Sequence, residues 1–312
     1  MTIAVHVRDL TRKFGEFVAV DHVTFDVPEG EIFGFLGPNG AGKTTTIKML
    51  AGLLAPTSGE GTVTGLDIVR DSEAIKRRIG YMSQAFSLYG DLTVEENIDF
   101  FAGLYEVSGP RLAARRDWVL AMAGLERHRT QMAADLPLGW KQRLALGCAV
   151  LHEPPILFLD EPTSGVDPVS RRNFWDLIYS LAEKGTTIFV STHYMEEAEY
   201  CHRLALMNRG RLIALDRPAA LREQMVEPIL ELQTSDGPGA ARALQGAPGV
   251  VEAAMFGRAV HVVVRDAAAA TAALPALLTS HGITCGSVTP VRPVLEDVFV
   301  ALVRREGGAV EG

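Results

Sequence analysis

Short runs of apolar residues alternate with longer amphipathic stretches in the first part of the chain. The clearest run, Ile32–Leu36, is too short for a helix and is followed by glycines, which predicts a strand buried on both faces. Similar runs occur at 79–82, 156–159 and 187–190, and residues 169–184 have the apolar spacing of a helix. Strands that alternate with helices predict an α/β fold wound around a mostly parallel sheet.

Two segments have helix signals at their boundaries. Asp167 can cap the helix over 169–184, Pro168 suits its first position, and Gly185 lies just beyond its end. Between residues 85 and 152 the strand pattern vanishes. Residues 93–96 there have the spacing of a capping box and open an amphipathic segment that carries Ile98 and Phe101. We therefore predict a mostly helical subdomain at about 85–152.

The pattern changes after residue 228. Strands are predicted at 229–233, 250–256, 260–264 and 283–289, with helices at 239–245 and 267–281. This order is typical of the split ferredoxin-like arrangement, a small α+β fold. A last helix follows at 294–304, and 306–312 is expected to be a flexible tail. A chain of 312 residues is long enough for two cores, so we assign 1–228 and 229–305 to separate domains.

Composition excludes several classes of protein. Apolar residues make up 47% of the chain, yet no run approaches the roughly 18 residues of a membrane span, and residues 1–10 lack a secretory signal. Cys148, Cys201 and Cys285 are an odd number without paired spacing, which favours reduced thiols. The net charge of −8 and the absence of a basic stripe argue against a nucleic-acid partner. We therefore expect a cytoplasmic protein that does not itself cross the bilayer.

The strongest chemical signal follows the first buried strand. Residues 37–44 match a P-loop, in which glycines let backbone N–H groups curl around a phosphate while Lys43 supplies charge and Thr44 an oxygen for Mg²⁺. The alternative, an ordinary glycine-rich loop, does not explain why a strand precedes the motif and a helix-forming run follows it. The candidate phosphate-site residues are Gly37, Pro38, Asn39, Gly40, Ala41, Gly42, Lys43, Thr44 and Thr45.

Two carboxylates stand at the end of another predicted strand. Asp160 follows the apolar run at 156–159 and is the candidate second Mg²⁺ residue. Glu161 comes next, where a carboxylate could accept a proton from an attacking water molecule. The alternative for Glu161 is a solvated glutamate at a strand end.

Several further motifs occur in a fixed order along residues 2–217. They are the P-loop, Tyr81-Met82-Ser83-Gln84, residues 136–143, Leu159-Asp160-Glu161-Pro162, Ser164-Gly165-Val166-Asp167 and Ser191-Thr192-His193. In this order they resemble the ATPase subunits of ABC transporters. The resemblance implies a P-loop ABC ATPase core with a helical subdomain that binds ATP and Mg²⁺ and hydrolyses ATP.

The resemblance also implies roles for single residues. Gln84 is similar to the glutamine that senses Mg²⁺ and the attacking water, His193 to the histidine that reaches the γ-phosphate, and Asp167 to a residue of the dimer-contact loop. Phe14 matches the aromatic residue that stacks on adenine. Taken singly, each has a simpler interpretation: Gln84 as a polar strand end, Asp167 as a helix cap only, His193 as a surface residue and Phe14 as a core phenylalanine.

One motif departs from the family pattern. Leu136-Pro137-Leu138-Gly139-Trp140 stands where these ATPases commonly have Leu-Ser-Gly-Gly-Gln, a segment that reaches the nucleotide of a second ATPase subunit. The serine hydroxyl is missing and Pro137 has no N–H, so Gly139 and its backbone neighbours remain as donors. The resemblance implies a dimer, either a homodimer or a heterodimer, and the variant segment puts full-strength hydrolysis by a homodimer in doubt.

Residues 142–146, 153–155 and 293–299 resemble the ATPase subunits of ABC-2 type exporters, a group often associated with multidrug efflux. This implies an integral membrane ABC-2 type permease as partner, attachment to the cytoplasmic face of the plasma membrane, and drugs or other amphipathic molecules as cargo. The alternative is a soluble ABC-type ATPase acting on nucleic acid or ribosomes. A P-loop kinase or GTPase would not explain Glu161, Gln84 or His193.

Overall fold

A computed structural model of the chain describes residues 2–84 and 88–305. The chain divides into two compact units, Met1–Pro218 and Ala219–Gly312. The division follows Pro218, whereas the sequence suggested a boundary at residue 228. The segment 85–87, within the predicted helical subdomain, and the predicted tail at 306–312 lie outside the described residues.

The first unit contains two sheets and a group of helices. Its strands are β1 (Ile3–Phe14), β2 (Phe17–Pro28), β3 (Ile32–Leu36), β4 (Ser58–Val63), β5 (Leu66–Asp67), β6 (Ile79–Met82), β7 (Ile156–Asp160), β8 (Thr187–Thr192), β9 (Arg203–Asn208) and β10 (Arg211–Asp216). Its helices are α1 (Lys43–Leu50), α2 (Ser72–Arg78), α3 (Val94–Leu104), α4 (Gly109–Ala123), α5 (Leu138–Ala149), α6 (Pro168–Glu183) and α7 (Met195–Ala198), with a 3₁₀ turn at Ala133–Asp135.

The larger sheet has six strands in the order β10-β9-β3-β8-β7-β6. All neighbours from β9 to β6 are parallel, and β10 pairs antiparallel with β9 at one edge. The four strands predicted from apolar runs are β3, β6, β7 and β8, so the wound α/β prediction is confirmed. Residues of β3, β7 and β8 are buried on both faces because helices and a second sheet cover them.

The second sheet is antiparallel, in the order β2-β1-β4-β5, and the sequence analysis missed it. β1 and β2 contain several register shifts where they pair, and Asp9 and His22 each have a φ of 50°. Such bulges break the two-residue alternation by which a half-buried strand is recognised. Residues 1–10 do alternate between apolar and polar residues, but this alternation is not kept along the full length of β1 and β2.

One apolar core joins the two sheets. Phe25 of β2 packs on Phe33 of β3 with ring centroids 5.4 Å apart, and Phe33 in turn packs on Phe189 of β8 at 5.2 Å. Aromatic residues bury large apolar areas and stabilise a core more than their number suggests. The cluster extends to Ile47, Met49 and Leu50, so the second half of α1 is anchored in this core.

The predicted helical subdomain is confirmed for the described residues 88–152, which contain α3, α4 and α5 around their own apolar cluster. Thr93 caps α3 in the predicted capping box: its Oγ1 accepts from Glu96 N, while the Glu96 carboxylate accepts from Thr93 N. α6 begins as expected, with Asp167 Oδ1 accepting from the N–H groups of Val169 and Ser170.

The second unit begins within α8 (Pro218–Glu223). Its further elements are β11 (Ile229–Thr234), α9 (Gly237–Leu244), β12 (Val250–Phe256), β13 (Ala259–Val264), α10 (Ala267–Ser280), β14 (Cys285–Val291) and α11 (Leu295–Arg305). Its strands form an antiparallel sheet in the order β12-β13-β11-β14. Each βαβ connection skips one strand, so the split ferredoxin-like prediction is confirmed.

Cys148, Cys201 and Cys285 are free thiols, and burial raises the pKa of each. None of the helices in the described ranges is long and apolar enough to cross a membrane.

His152 makes the stability of the first unit dependent on pH. Its ring stacks on Tyr105 with centroids 3.7 Å apart, and burial is the main cause that lowers its pKa from 6.5 to about 4. Because the folded state disfavours the proton, this contribution to stability is present above pH 6.5 and is lost as the pH falls toward 4. We predict that urea unfolding at pH 7.5 and pH 5 shows a smaller loss of stability for His152→Gln than for wild type.

His281→Gln is the matched control, because His281 is exposed at the end of α10. That variant should lose as much stability as wild type. An equal loss in His152→Gln and wild type would mean that His152 is not the group responsible.

Candidate functional site

The P-loop connects the central strand β3 to α1. Gly42 has a φ of 104° and precedes the helix, and Gly40 has a φ of 79°. A Cβ atom at Gly37 would lie 2.3 Å from the carbonyl oxygen of Met207, so only glycine fits there. The glycines thus let the backbone turn sharply and aim the N–H groups at the start of α1 into the loop.

Lys43 is almost fully buried within this loop. Its Nζ donates to the carbonyl oxygens of Gly37 at 2.7 Å and Pro38 at 3.1 Å, and lies 3.5 Å from Oε1 of Glu161. Burial lowers the pKa of Lys43, and the nearby Glu161 carboxylate opposes that shift. The ammonium group is therefore held beside the loop and the candidate base.

Asp160, at the end of β7, faces the first turn of α1. Its Oδ1 accepts hydrogen bonds from Thr44 Oγ1 at 2.9 Å and from Ser191 Oγ at 2.6 Å. Burial raises the pKa of Asp160, while the bonds from Ser191 and Thr44 act in the opposite direction. Ser191 belongs to the Ser191-Thr192-His193 motif, but the sequence alone assigns it no role. Its position near the end of β8, beside β7, is the signal that indicates a partner of Asp160.

The oxygen atoms of Asp160 and Thr44 fit Mg²⁺, which prefers hard oxygen ligands and commonly takes only one or two carboxylates beside substrate phosphates. No cluster of three or more His, Cys, Asp or Glu side chains suited to a metal occurs within 2–84 and 88–305. The donor set therefore matches a metal shared with a phosphate better than a closed protein cage.

Glu161 is the point at which the three candidate catalytic side chains meet. Its Oε2 accepts from Gln84 Nε2 at 2.9 Å and lies 3.4 Å from Nδ1 of His193. Its backbone N–H donates to Ser191 Oγ at 3.0 Å, and its φ of 49° lies in the left-handed region, which is strained for glutamate. Because β6, β7 and β8 are parallel, their carboxyl ends bring these residues to one edge of the sheet.

A cavity of about 310 Å³ opens over the P-loop. It is lined by Phe14, Phe17, Ala19, Asn39, Gly40, Ala41, Gly42, Lys43, Thr44, Thr45, Gln84 and Glu161. The size and the mixture of aromatic, backbone and charged groups suit a nucleotide-sized ligand.

Phe14 and Phe17 form the aromatic end of this cavity. They are paired across the tight turn between β1 and β2 and are 47% and 63% exposed, so Phe14 is not a core residue. The Arg12 guanidinium lies 4.5 Å from the centroid of the Phe14 ring. Sequence reasoning missed Phe17 because a single phenylalanine in an unrecognised hairpin carries no motif.

Gly139 and Asp167 do not line the cavity. A Cβ atom at Gly139 would lie 2.7 Å from both Cβ and Oγ of Ser170, so this glycine lets α5 pack closely on the first turn of α6. Asp167 caps α6, and Trp140 packs on the apolar cluster of the helical region. Within one chain these residues are therefore separate from the P-loop cavity.

Comparison with known proteins gives one consistent result. Residues 20–164 match the family model described as ABC transporter. The chain is 53% identical over 220 residues to "Probable multidrug ABC transporter ATP-binding protein YbhF" of Escherichia coli, which covers 70% of this chain but only 38% of that relative. It is 35% identical over 310 residues to "Nod factor export ATP-binding protein I" of Cupriavidus metallidurans, covering 98% of this chain and 99% of the relative.

A solved structure of an ATP-binding cassette has a fold similar to part of this chain. It is the dimeric, post-hydrolysis state of the ATP-binding cassette MJ0796 bound to ADP and Pi, with a TM-score of 0.63 and 29% sequence identity. The match covers 68% of this chain and 98% of that one.

The exposure of Phe14 generates a prediction about nucleotide binding. Stacking of a base on an aromatic ring contributes about 1–3 kcal/mol, so Phe14→Ala should raise the Kd for ATP by about 5- to 150-fold. Binding of inorganic triphosphate should not change, since it has no base. Calorimetric titration of both ligands measures the difference.

Phe100→Ala is the matched control, because Phe100 on α3 is 44% exposed and lies outside the cavity lining. It should bind ATP as wild type does. Weaker binding of triphosphate by Phe14→Ala would indicate damage to the P-loop rather than loss of stacking.

Proposed function

Because the chain belongs to the ABC transporter family, we propose that it binds and hydrolyses ATP to power export through a membrane permease. The observation that carries the proposal is the carboxylate of Glu161, which lies 3.5 Å from the P-loop ammonium and contacts Gln84. The name of the Cupriavidus metallidurans relative, which refers to Nod factor export, supports the direction of transport.

The phosphates of ATP would bind to the N–H groups at the start of α1 and to Lys43, whose charge is buried beside them. Thr44 and Asp160 would hold Mg²⁺, which when bound neutralises charge on the phosphate oxygens. The base of ATP would stack on Phe14. Gly37–Gly42 and Thr45 complete the backbone around the phosphates.

Glu161 would accept the proton of the attacking water. Gln84 orients this carboxylate by donating a hydrogen bond to Oε2, and Nδ1 of His193 lies 3.4 Å from the same oxygen. A general base must lie within hydrogen-bond distance of the proton that it accepts, and its pKa must also suit the reaction. The left-handed backbone at Glu161 is consistent with strain held at a reaction centre.

We predict that Glu161→Gln binds ATP with nearly unchanged Kd but loses about 10²–10⁴-fold in kcat, the usual contribution of a positioned acid or base. Glutamine keeps the shape and the contact with Gln84 but cannot accept the proton. Equilibrium binding and steady-state phosphate release measure the two quantities.

Lys43→Ala is the comparison variant and should weaken ATP binding itself, because it removes the charge from the loop. A Glu161→Gln protein that hydrolyses ATP at the wild-type rate would exclude Glu161 as the base. Unchanged binding and turnover in Lys43→Ala would refute the phosphate site.

A second ABC ATPase subunit would complete the site, in a homodimer or a heterodimer. The dimeric state of MJ0796 supports this proposal. Gly139 and the dimer-contact residue Asp167 lie away from this chain's own cavity, as expected of residues that serve a partner's nucleotide. Leu138 lies 3.4 Å from the position of a Cβ on Gly165, so it fills space beside the dimer-contact loop where the usual signature has glycine.

An integral membrane permease of the ABC-2 type is the proposed second partner, with drugs or other amphipathic molecules as its cargo. The rings of Tyr89 and Phe100 are in contact, with centroids 4.5 Å apart and their planes tilted by 59°, and both residues are exposed. Leu104 is exposed one turn further along α3. We propose that this surface, the aromatic patch, receives a cytoplasmic helix of the permease. Phe86 and Leu88 precede Tyr89 in the same apolar stretch of the sequence, but Phe86 lies outside the described residues and Leu88 packs on the helical cluster.

The chain would therefore lie in the cytoplasm at the inner face of the plasma membrane. A soluble ATPase acting on nucleic acid or ribosomes is the less favoured alternative, because one relative is named as a transporter subunit, another as an export protein, and the net charge is −8.

The variant segment at 136–140 predicts weak self-association. A hydrogen bond to a charged phosphate is worth about 1.5–3 kcal/mol, so loss of the serine should weaken closure by about 10- to 150-fold. We expect the purified chain to be mostly monomeric and slow in ATP hydrolysis, and reconstitution with the permease to raise its turnover by holding two subunits together. Light scattering and phosphate release measure both.

Tyr89→Asp should remove the stimulation by the permease while leaving the slow basal turnover, since Tyr89 lies outside the cavity lining.

A tight ATP-bound homodimer that turns over at about 10 s⁻¹ without a permease would contradict the role proposed for the variant segment at 136–140.

A further inference from the structure

A fully buried carboxylate lies behind the site and has no place in the chemistry described above. Glu197 belongs to the short helix α7 and is 0% exposed. Thr163 Oγ1 donates to its Oε1, Thr192 Oγ1 donates to its Oε2 at 2.8 Å, and Arg171 Nε lies 3.2 Å from Oε1. One carboxylate therefore binds three separate segments of the chain.

Each of these segments carries a residue of the proposed site. Thr163 follows Glu161 by two positions in the loop after β7, Thr192 immediately precedes His193, and Arg171 lies one turn after Asp167 on α6. Glu197 thus fixes the distance between the candidate base, the candidate phosphate-contacting histidine and the dimer-contact loop.

The same segments also meet through aromatic contacts. The Arg171 guanidinium lies 4.2 Å from the centroid of the Tyr194 ring, and the rings of Tyr194 and His193 are 4.1 Å apart. Arg171 also donates to the carbonyl oxygen of Val166 at 3.4 Å. A continuous series of contacts therefore runs from the residue before Asp167 to the ring of His193.

Stability alone does not explain a buried ion pair here, because well-packed apolar residues of similar size often stabilise a fold as well or better. A carboxylate that accepts from two hydroxyl groups and pairs with Arg171 instead fixes one relative position of the three segments that carry these residues. We propose that Glu197 is a positioning residue for ATP hydrolysis, which holds His193 and Glu161 in register with the first turn of α6. This inference rests on the proposed ATPase function.

The test compares Glu197→Gln with wild type. Glutamine keeps the volume but loses the charge and one acceptor, and a misplacement of about 1 Å can reduce a rate by about 10²-fold. We expect kcat to fall by about 10- to 100-fold while the KM for ATP changes by less than about threefold, because the P-loop is untouched. Glu196→Gln, the same change at the exposed neighbouring position, should stay within about twofold of wild type.

A double-mutant cycle separates positioning from general damage. If Glu197 acts through His193, Glu197→Gln in a His193→Ala background should cost less than about threefold, whereas an independent structural defect would cost the same factor in both backgrounds. Equal factors in the two backgrounds, or an unchanged kcat in the single variant, would overturn the inference.

Thr192→Val and Thr192→Ser provide a second test should Glu197→Gln lack a cooperative thermal transition. Valine removes one donor at nearly constant volume and should lower kcat by about tenfold, while serine keeps the hydroxyl and should restore most of it. Equal activities of the two variants would overturn the inference. If the wild-type protein does not hydrolyse ATP, either alone or together with the permease, the proposed function is refuted and this inference with it.

Discussion

The parallel pairing of β3, β8, β7 and β6 is the constraint on which the site depends. In a parallel sheet all carboxyl ends lie at one edge, and ligands of open α/β sheets bind there. Leu36 pairs with Thr192, Asp160 with Ser191, and Met82 with Leu159. The residues that follow these pairs are the P-loop, Glu161, His193 and Gln84. A shift of one pair in this register would separate them by several ångströms.

The same edge concentrates buried charge, which is costly unless it is paired and hydrogen-bonded. Four buried charged residues here are Lys43, Asp160, Glu161 and Glu197, and each has at least two polar partners. The partners come from different strands and loops, so the arrangement holds only when the whole sheet is formed. The contacts around Glu197 extend this network from the cavity to the start of α6, next to the loop that ends at Asp167.

The helical region differs in how it contributes to the proposed function. Its apolar cluster holds α3, α4 and α5 together. The residues of this region to which we assign a proposed role lie in the aromatic patch and at the start of α5. Gly139 packs on Ser170 of α6, so the variant segment is tied to the helix that Asp167 caps. The second unit has its own sheet and core, and a full-length relative shares it, yet no residue in it belongs to the proposed ATP site.

The sequence by itself determined the α/β and ferredoxin-like classes, the P-loop, and the identities of Asp160 and Glu161, because each depends on a local pattern: apolar runs, glycine spacing or a carboxylate at a strand end. It missed β1 and β2, whose bulges disrupt alternation, and with them Phe17. Only the tertiary structure decided that Ser191 binds Asp160 and that Glu197 joins three separate segments of the chain. Those contacts link residues far apart in the chain, and their geometry exists only after the parallel strands have paired.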